Sequence, residues 1–314
     1  MVQIELAISL EYGIEDPGGA DFIFNIHPAR TAHQKVQAER LELTGDVPRD
    51  IATDTATATR FMRLHAEPGV FVLRYHATVA IQHHLAEPDT LIEVPVRCLP
   101  LEVMPYLYPS RYCESDRLLK LAWAEFGTLW PGYNRVLAIQ HWVQQRVTYA
   151  SGSSSASTSA LDTIVDRVGV CRDYAHLMVA LCRALNIPAR VATGTDYGAN
   201  PLRSPPDFHA YVEVYLSDRW YLFDPSGIGI PMGFMRFGTG RDAADVAFAT
   251  IFGNVTSKAP WLTVSATQGA GSVLPDQHCP QALCTTAPLA PNDLGCTSFG
   301  ARSERRQMAR QLPE

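Results

Sequence analysis

The stretch GVCRDYAHLMVALCRAL, residues 169–185, carries its apolar positions at a helical period, and Gly169 and Val170 suit a tight approach where a side chain would obstruct. A helix beginning there puts Cys171 in the first turn, where unpaired backbone N–H groups and the positive end of the helix dipole favour the reactive thiolate. Cys171, Ala175, Met178 and Cys182 share one stripe, so packing alone is the competing reading. At about 1.5 Å rise per residue, Cys182 lies roughly 16 Å along the axis from Cys171, beyond disulfide reach. Cys182 therefore reads as core and Cys171 as a candidate nucleophile. His176, turned about 140° from Cys171, reads as structural, and Asp173 as a carboxylate serving the helix dipole.

A thiolate needs a base, and the base needs an orienting group. Working outward, DFHAYVEVYLSDRWYLFDPSG at 207–227 contains two β-rich runs about a short polar SDR, the signature of an antiparallel hairpin. With a two-residue Ser217-Asp218 loop, Tyr211 faces Asp224 and His209 lies diagonal to Asp224 on the same face. An odd loop would separate the two side chains onto opposite faces. Diagonal neighbours are about 7–8 Å apart at the backbone, close enough for Asp224 to reach one ring nitrogen while the other faces the sulfur.

The first hundred residues read as all-β. RFMRLHAEPGVFVLRYHATVAIQHH at 60–84 places two apolar runs around Glu67-Pro68-Gly69, as in a hairpin, and Phe71, Leu73, Tyr75, Ala77, Val79 and Ile81 share one face. DFIFNIHPA at 21–29 is a further strand. Prolines 100, 105 and 109 mark a boundary, after which the pattern is helical, with Ser115 and Asn134 as expected N-caps. The Ser-rich run 150–160 reads as a loop, GIGIPMGFMRFGTG at 227–240 as a loop near the aspartate strand, and the Gly/Pro/Ser/Thr-rich tail beyond 265 as loosely ordered.

Several classes are excluded on composition. A net charge of -6 over 314 residues, with no basic concentration, argues against a nucleic-acid partner. No apolar run is long enough to span a membrane, and Glu5 and Glu11 interrupt any signal-peptide pattern, so the expected location is cytoplasmic. Seven scattered cysteines imply reduced thiols, with Cys98, Cys113 and Cys182 as buried small hydrophobes. There is no HExxH, paired CxxC or phosphate loop, and His278, Cys279, Cys284 and Cys296 lack close zinc spacing. Neither cofactor nor metal is expected, and His83-His84 reads as solvated.

Taken together, GVCRDYAHLMVALCRALNIPARVATG and FHAYVEVYLSDRWYLFDPSG resemble the core of the transglutaminase-like superfamily, specifically bacterial transglutaminase-like cysteine peptidases. YPSRYCESDRL at 108–118 and GRDAADVAFATIFG at 240–253 are similar to stretches of the bacterial group, and the resemblance covers roughly residues 1–265. It implies an α+β chain: an N-terminal β-sandwich domain over 1–100, a papain-like transglutaminase core over 101–265 with the Cys helix packed on an antiparallel sheet, and a tail over 266–314. It carries the nucleophile onto Cys171, the general base onto His209 and the orienting carboxylate onto Asp224. The family's oxyanion hole adds a second donor to the nucleophile's own N–H; neither Trp130 nor Trp142 matches its position, and both read as core. The implied activity is acyl transfer on peptide or glutamine carboxamide substrates through a Cys thioester, ending in hydrolysis. The alternatives are amide transfer to an amine, or a binding module without chemistry. No calcium loop of EF-hand kind is present.

Overall fold

The computed structural model describes residues 1–197, 207–268 and 279–289. Along the chain, strands β1 (Val2–Ile14), β2 (Ala20–His27), β3 (Gln34–Leu43), β4 (Arg49–Thr53), β5 (Arg60–Ala66), β6 (Gly69–Ile81) and β7 (His84–Ala86) come first. A helical stretch follows: α1 (Leu119–Phe126), α2 (Tyr133–Arg146), a short β8 (Thr148–Tyr149), α3 (Ala160–Asp166), a short β9 (Val168–Gly169) and α4 (Cys171–Ala184). Then come β10 (Ala189–Asp196), β11 (His209–Leu216), β12 (Arg219–Phe223), β13 (Phe234–Gly240), α5 (Ala243–Val246), β14 (Ala249–Phe252), β15 (Val255–Ser257), β16 (Trp261–Gln268) and β17 (Ala282–Cys284).

Two sheets face each other in the N-terminal half. One has β1 at its centre between β6 and the pair β15 and β16, with β3 beyond β6; the other runs β14-β2-β5-β4. Alternation explains the layering: every second residue of β1 and β6 is buried, and Ile4, Leu6, Ile8, Leu73, Tyr75 and Val79 meet Phe22, Phe24, Met62 and Leu64 from the facing sheet. Tyr12 and Phe71 each touch Phe22, at ring-centroid distances of 5.1 and 5.4 Å. The face expected from Phe71 to Ile81 is thus buried. The turn at Glu67-Pro68-Gly69, however, makes no hairpin, because β5 pairs with β2 and β4 whereas β6 pairs with β1 and β3. Both strands have one apolar face, and stacking those faces across two sheets buries more than pairing the strands edge to edge.

The second body is the sheet β12-β11-β10-β13 with α4 across one face. From Asp173 to Ala184 the whole of α4 is buried, because α1, α2 and α3 enclose the sides that the sheet leaves open. Cys113 and Cys182 are fully buried free thiols here, as expected, and burial pushes the Cys113 thiol up to about 12. Cys98 is equally buried but disulfide-bonded, contrary to the expectation of a reduced thiol.

Other expectations are corrected. Gly132, at φ 145°, caps α2 in place of Asn134, whose side chain donates to Asp89; Leu118, without a capping side chain, precedes α1, and Ser115 lies in the turns before it. Residues 234–240 are the strand β13, because β10 offers them a free edge. β14 and β15, from the segment 101–265, pair with β2 and β1 of the first hundred residues, and β16, also paired with β1, runs through 265. Within the tail, β17 pairs with β7, and Leu283 is buried over Ala192, Tyr211, Leu222 and Phe234. Apolar side chains at 282–284 give that piece of a polar segment something to bury. Residues 269–278 and 290–314, with His278 and Cys296, lie outside the described residues, and Cys279 and Cys284 are free.

Candidate active site

Cys171 is the first residue of α4 and, like Arg172, is partly exposed, whereas Asp173 to Ala184 are buried. Val170 ahead of it is extended and has no side chain that could cap the helix, so Asp173 does the capping in reverse. Its Oδ2 accepts the Val170 N–H at 2.8 Å, and its Oδ1 accepts the Ser154 hydroxyl at 2.9 Å. Arg172 donates to Ser154 Oγ and to the Ser155 carbonyl, so the Ser-rich loop is tied to this first turn. At Gly169 a β-carbon would fall 2.8 Å from that of Asp173, which accounts for the glycine.

The hairpin has the two-residue loop on which the site geometry depends. Leu216 pairs with Arg219, Ser217 turns at φ 54°, and Val212 pairs with Phe223, which leaves Tyr211 across from Asp224 and His209 diagonal to it. Val212 and Val214 face α4; His209, by parity, belongs to the opposite face with Tyr211. It sits at the first position of β11, paired with Gly194 near the end of β10. Residues 185–188 turn the chain straight from α4 into β10, so the head of α4 lies at this same end of the sheet. There Cys171 lies close enough to the His209 ring to favour its charged form.

The Nε2 of His209 lies 3.7 Å from Asp224 Oδ1, an ion-pair separation, and 3.5 Å from Ser226 Oγ. Burial alone would lower the imidazole; the Cys171 sulfur and the Asp224 carboxylate outweigh it and hold His209 well above the ordinary imidazole value. Asp224 is fully buried and fully used. Oδ1 accepts the Ser226 N–H at 3.0 Å and its hydroxyl at 2.6 Å, and Oδ2 accepts the Gly229 N–H at 2.9 Å. Burial favours its neutral form, but these bonds and His209 prevail, and the carboxyl stays below its usual range. Gln144 of α2 donates to the Asp224 carbonyl at 3.0 Å. Sequence reasoning missed Ser226, Gly229 and Gln144; only the turn-forming Pro225-Ser226-Gly227 hinted at the first.

His176 is elsewhere. Its Nε2 accepts the Ala243 N–H at 3.1 Å and its ring stacks on Tyr112, while burial pushes it down to about 3. The Trp142 indole donates to Glu125, and Trp130 is largely exposed, so the expectation of two core aromatics fails for Trp130. Among the described residues no group of three or more His, Cys, Asp or Glu could hold a metal, and no helix is long and apolar enough to cross a membrane. A cleft of about 580 Å³ opens behind Asp224 and Gly227, against Asn134, Leu137, Gln140 and Gln144 of α2.

The arrangement can hold a thiolate beside an imidazolium, backed by a carboxylate, in a site open to solvent on the sulfur side. Comparison with known proteins identifies the family. Residues 124–225 match the core of the transglutaminase-like superfamily, and residues 2–102 match the bacterial transglutaminase N-terminal domain. A solved structure from Cytophaga hutchinsonii, described as a putative cysteine protease, is 39% identical with a TM-score of 0.83, covering 90% of this chain and 97% of that one. An uncharacterized Mycobacterium leprae protein is 29% identical over 120 residues, 36% of this chain and 42% of its own. An uncharacterized Mycobacterium tuberculosis protein is 31% identical over 110 residues, 32% of this chain and 35% of its own. The chain therefore spans less than half the length of the curated relatives it matches. Two family domains matched in chain order, and a 39%-identical structure covered almost end to end, place the chain in the transglutaminase-like superfamily.

Proposed function

We propose that the chain is a thiol-dependent acyl-transfer enzyme acting on protein or peptide substrates, with Cys171 as nucleophile, His209 as base and acid, and Asp224 as orienting carboxylate. The observation that carries this reading is the shared ring: His209 meets the Cys171 sulfur on one side and Asp224 on the other. The sulfur attacks the carbonyl carbon of a peptide or glutamine carboxamide. The backbone N–H of Cys171, in the first turn of α4, is oriented to stabilise the resulting oxyanion. Collapse breaks the C–N bond, His209 gives its proton to the departing amine, and a thioester remains. Water then attacks, His209 takes its proton, the C–S bond breaks, and the carboxylate leaves with the thiolate restored.

Hydrolysis is favoured over transfer to an amine because the Cytophaga hutchinsonii relative is described as a putative cysteine protease. Iodoacetamide labelling, read at the Cys171 peptide by mass spectrometry, tests the catalytic pair. Fast alkylation that slows at least tenfold in His209→Ala supports it, whereas a rate unchanged by that substitution indicates a module without chemistry. A glutamine-containing peptide incubated with and without a primary amine tests the second half: formation of the free carboxylate, as glutamate or at a cleaved peptide bond, in both samples supports hydrolysis, and amine incorporation without hydrolysis overturns it.

A further inference from the structure

Beside the pair of Cys171 and His209 lies a second buried carboxylate that the reaction outlined above does not use. Asp196 ends β10 at 3% exposure, and Tyr211, fully buried, donates its hydroxyl to Asp196 Oδ2. The same oxygen accepts the Ile230 N–H at 3.0 Å, while the neighbouring Gly229 N–H goes to Asp224 Oδ2. One turn is therefore clamped by two carboxylates through consecutive peptide groups. The clamp is tight: a β-carbon at Gly229 would lie 2.2 Å from the Tyr211 hydroxyl and 3.0 Å from Asp196 Oδ2. The Tyr211 ring stands against His209, at a centroid distance of 4.7 Å and 76° between planes, and is held on by Phe234 at 4.3 Å.

We propose that Asp196, acting through Tyr211 and the 226–230 turn, is a positioning residue that fixes the His209 ring between Cys171 and Asp224. The proposal rests on the catalytic reading above and deepens it. Burial, and then Asp196 and Asp224, keep the Tyr211 hydroxyl protonated far above neutral pH, so it donates throughout the working range. The titratable groups facing His209 are Cys171 from α4, Asp224 after β12 and Asp207 ahead of β11; the Asp196 carboxylate stands one ring further out.

The test compares Asp196→Asn, Tyr211→Phe and their combination in the full chain. His209 is titrated by NMR, and Cys171 alkylation by iodoacetamide is followed at pH 7. Each single variant is expected to lower the His209 midpoint by about half a unit to one unit and to slow alkylation about three- to tenfold. The double variant should cost no more than the worse single one, as for residues acting as a unit. A purely structural role would lower the melting temperature and leave the His209 midpoint and alkylation rate of the folded protein unmoved; that result overturns the proposal. Should Asp196→Asn fail to fold, Tyr211→Phe decides, since it keeps the ring. His209→Ala separates the two ideas: no slowing there sinks the catalytic reading, whereas slowing there with wild-type behaviour in both singles sinks this inference alone.

Discussion

Replacing Asp224 by asparagine keeps the shape of the side chain and removes its charge. With His209 Nε2 at 3.7 Å from Oδ1, an effective dielectric near 20 puts the attraction lost at about 4 kcal/mol. An amide oxygen facing the ring recovers part of that, since a hydrogen bond to a charged donor is worth about 1.5–3 kcal/mol. A net loss near 2 kcal/mol corresponds to roughly 30-fold in the population of the charged pair, and so in the alkylation rate of Cys171. The amide also cannot be seated without conflict. Both carboxylate oxygens accept backbone N–H groups, from Ser226 and Gly229, so the new NH2 group must face one of these donors whichever way it turns. One buried hydrogen bond is lost, at about 1–3 kcal/mol of stability. Peptide-resolved iodoacetamide kinetics between pH 6 and 8, beside urea unfolding, measure the two effects separately. A folded Asp224→Asn protein alkylated within threefold of the parent across that range would refute the ion-pair argument.

Three other outcomes follow from the packing. Glu213 lies between Arg190, at 2.7 Å, and Arg236, at 3.1 Å, with all three side chains buried; Glu213→Gln strands two guanidinium groups and should cost about 3–5 kcal/mol in urea unfolding. At Gly194, across from His209, a β-carbon would fall 1.9 Å from the Met235 carbonyl, so Gly194→Ala should lose about 3 kcal/mol by the same assay and slow Cys171 alkylation in whatever still folds. His27 is lowered from 6.5 to about 4, first by burial and then by Arg60. The unfolded chain therefore binds the proton first, and about 3 kcal/mol of stability present above pH 6.5 is lost as the pH falls towards 4. Urea midpoints over that window should drop in the parent and flatten in His27→Phe, which can keep the ring contact with Tyr75.

How much of this was legible in the chain depends on whether the signal was local. The head of α4 and the β11–β12 hairpin were readable because a helical period, a period of two and the length of one loop fix where Cys171, His209 and Asp224 point. The Asp196 clamp was not, since nothing near TGTD at 193–196 announces that its carboxylate will meet a peptide N–H at residue 230. Sheet membership failed for the same reason. The β5–β6 turn has hairpin chemistry, but which face of each strand meets which sheet is a tertiary decision. Caps went astray where backbone geometry displaced side-chain chemistry, as at Gly132, which needs no hydroxyl because its positive φ already turns the chain into α2.

The two halves of the protein are less separable than their sequence order suggests, and the reason bears on the site. β1, the first strand, is flanked on one side by β6 and on the other by β15 and β16, which follow the segment carrying Cys171, His209 and Asp224, so this sheet closes only after that segment has been made. β13 forms the second link: it pairs with β10, while its Met235 and Phe237 are buried in the sandwich core and its Arg236 backbone bonds to Gln34 and Ala29. The Met235 carbonyl is the atom that leaves no room at Gly194, and Gly194 is the partner of His209. A displacement of the sandwich would therefore reach the imidazole through two backbone contacts with no flexible side chain between them. Close-packed interiors transmit such shifts with little loss. The N-terminal half is best understood as part of the support that sets the distance between His209 and the sulfur at the head of α4.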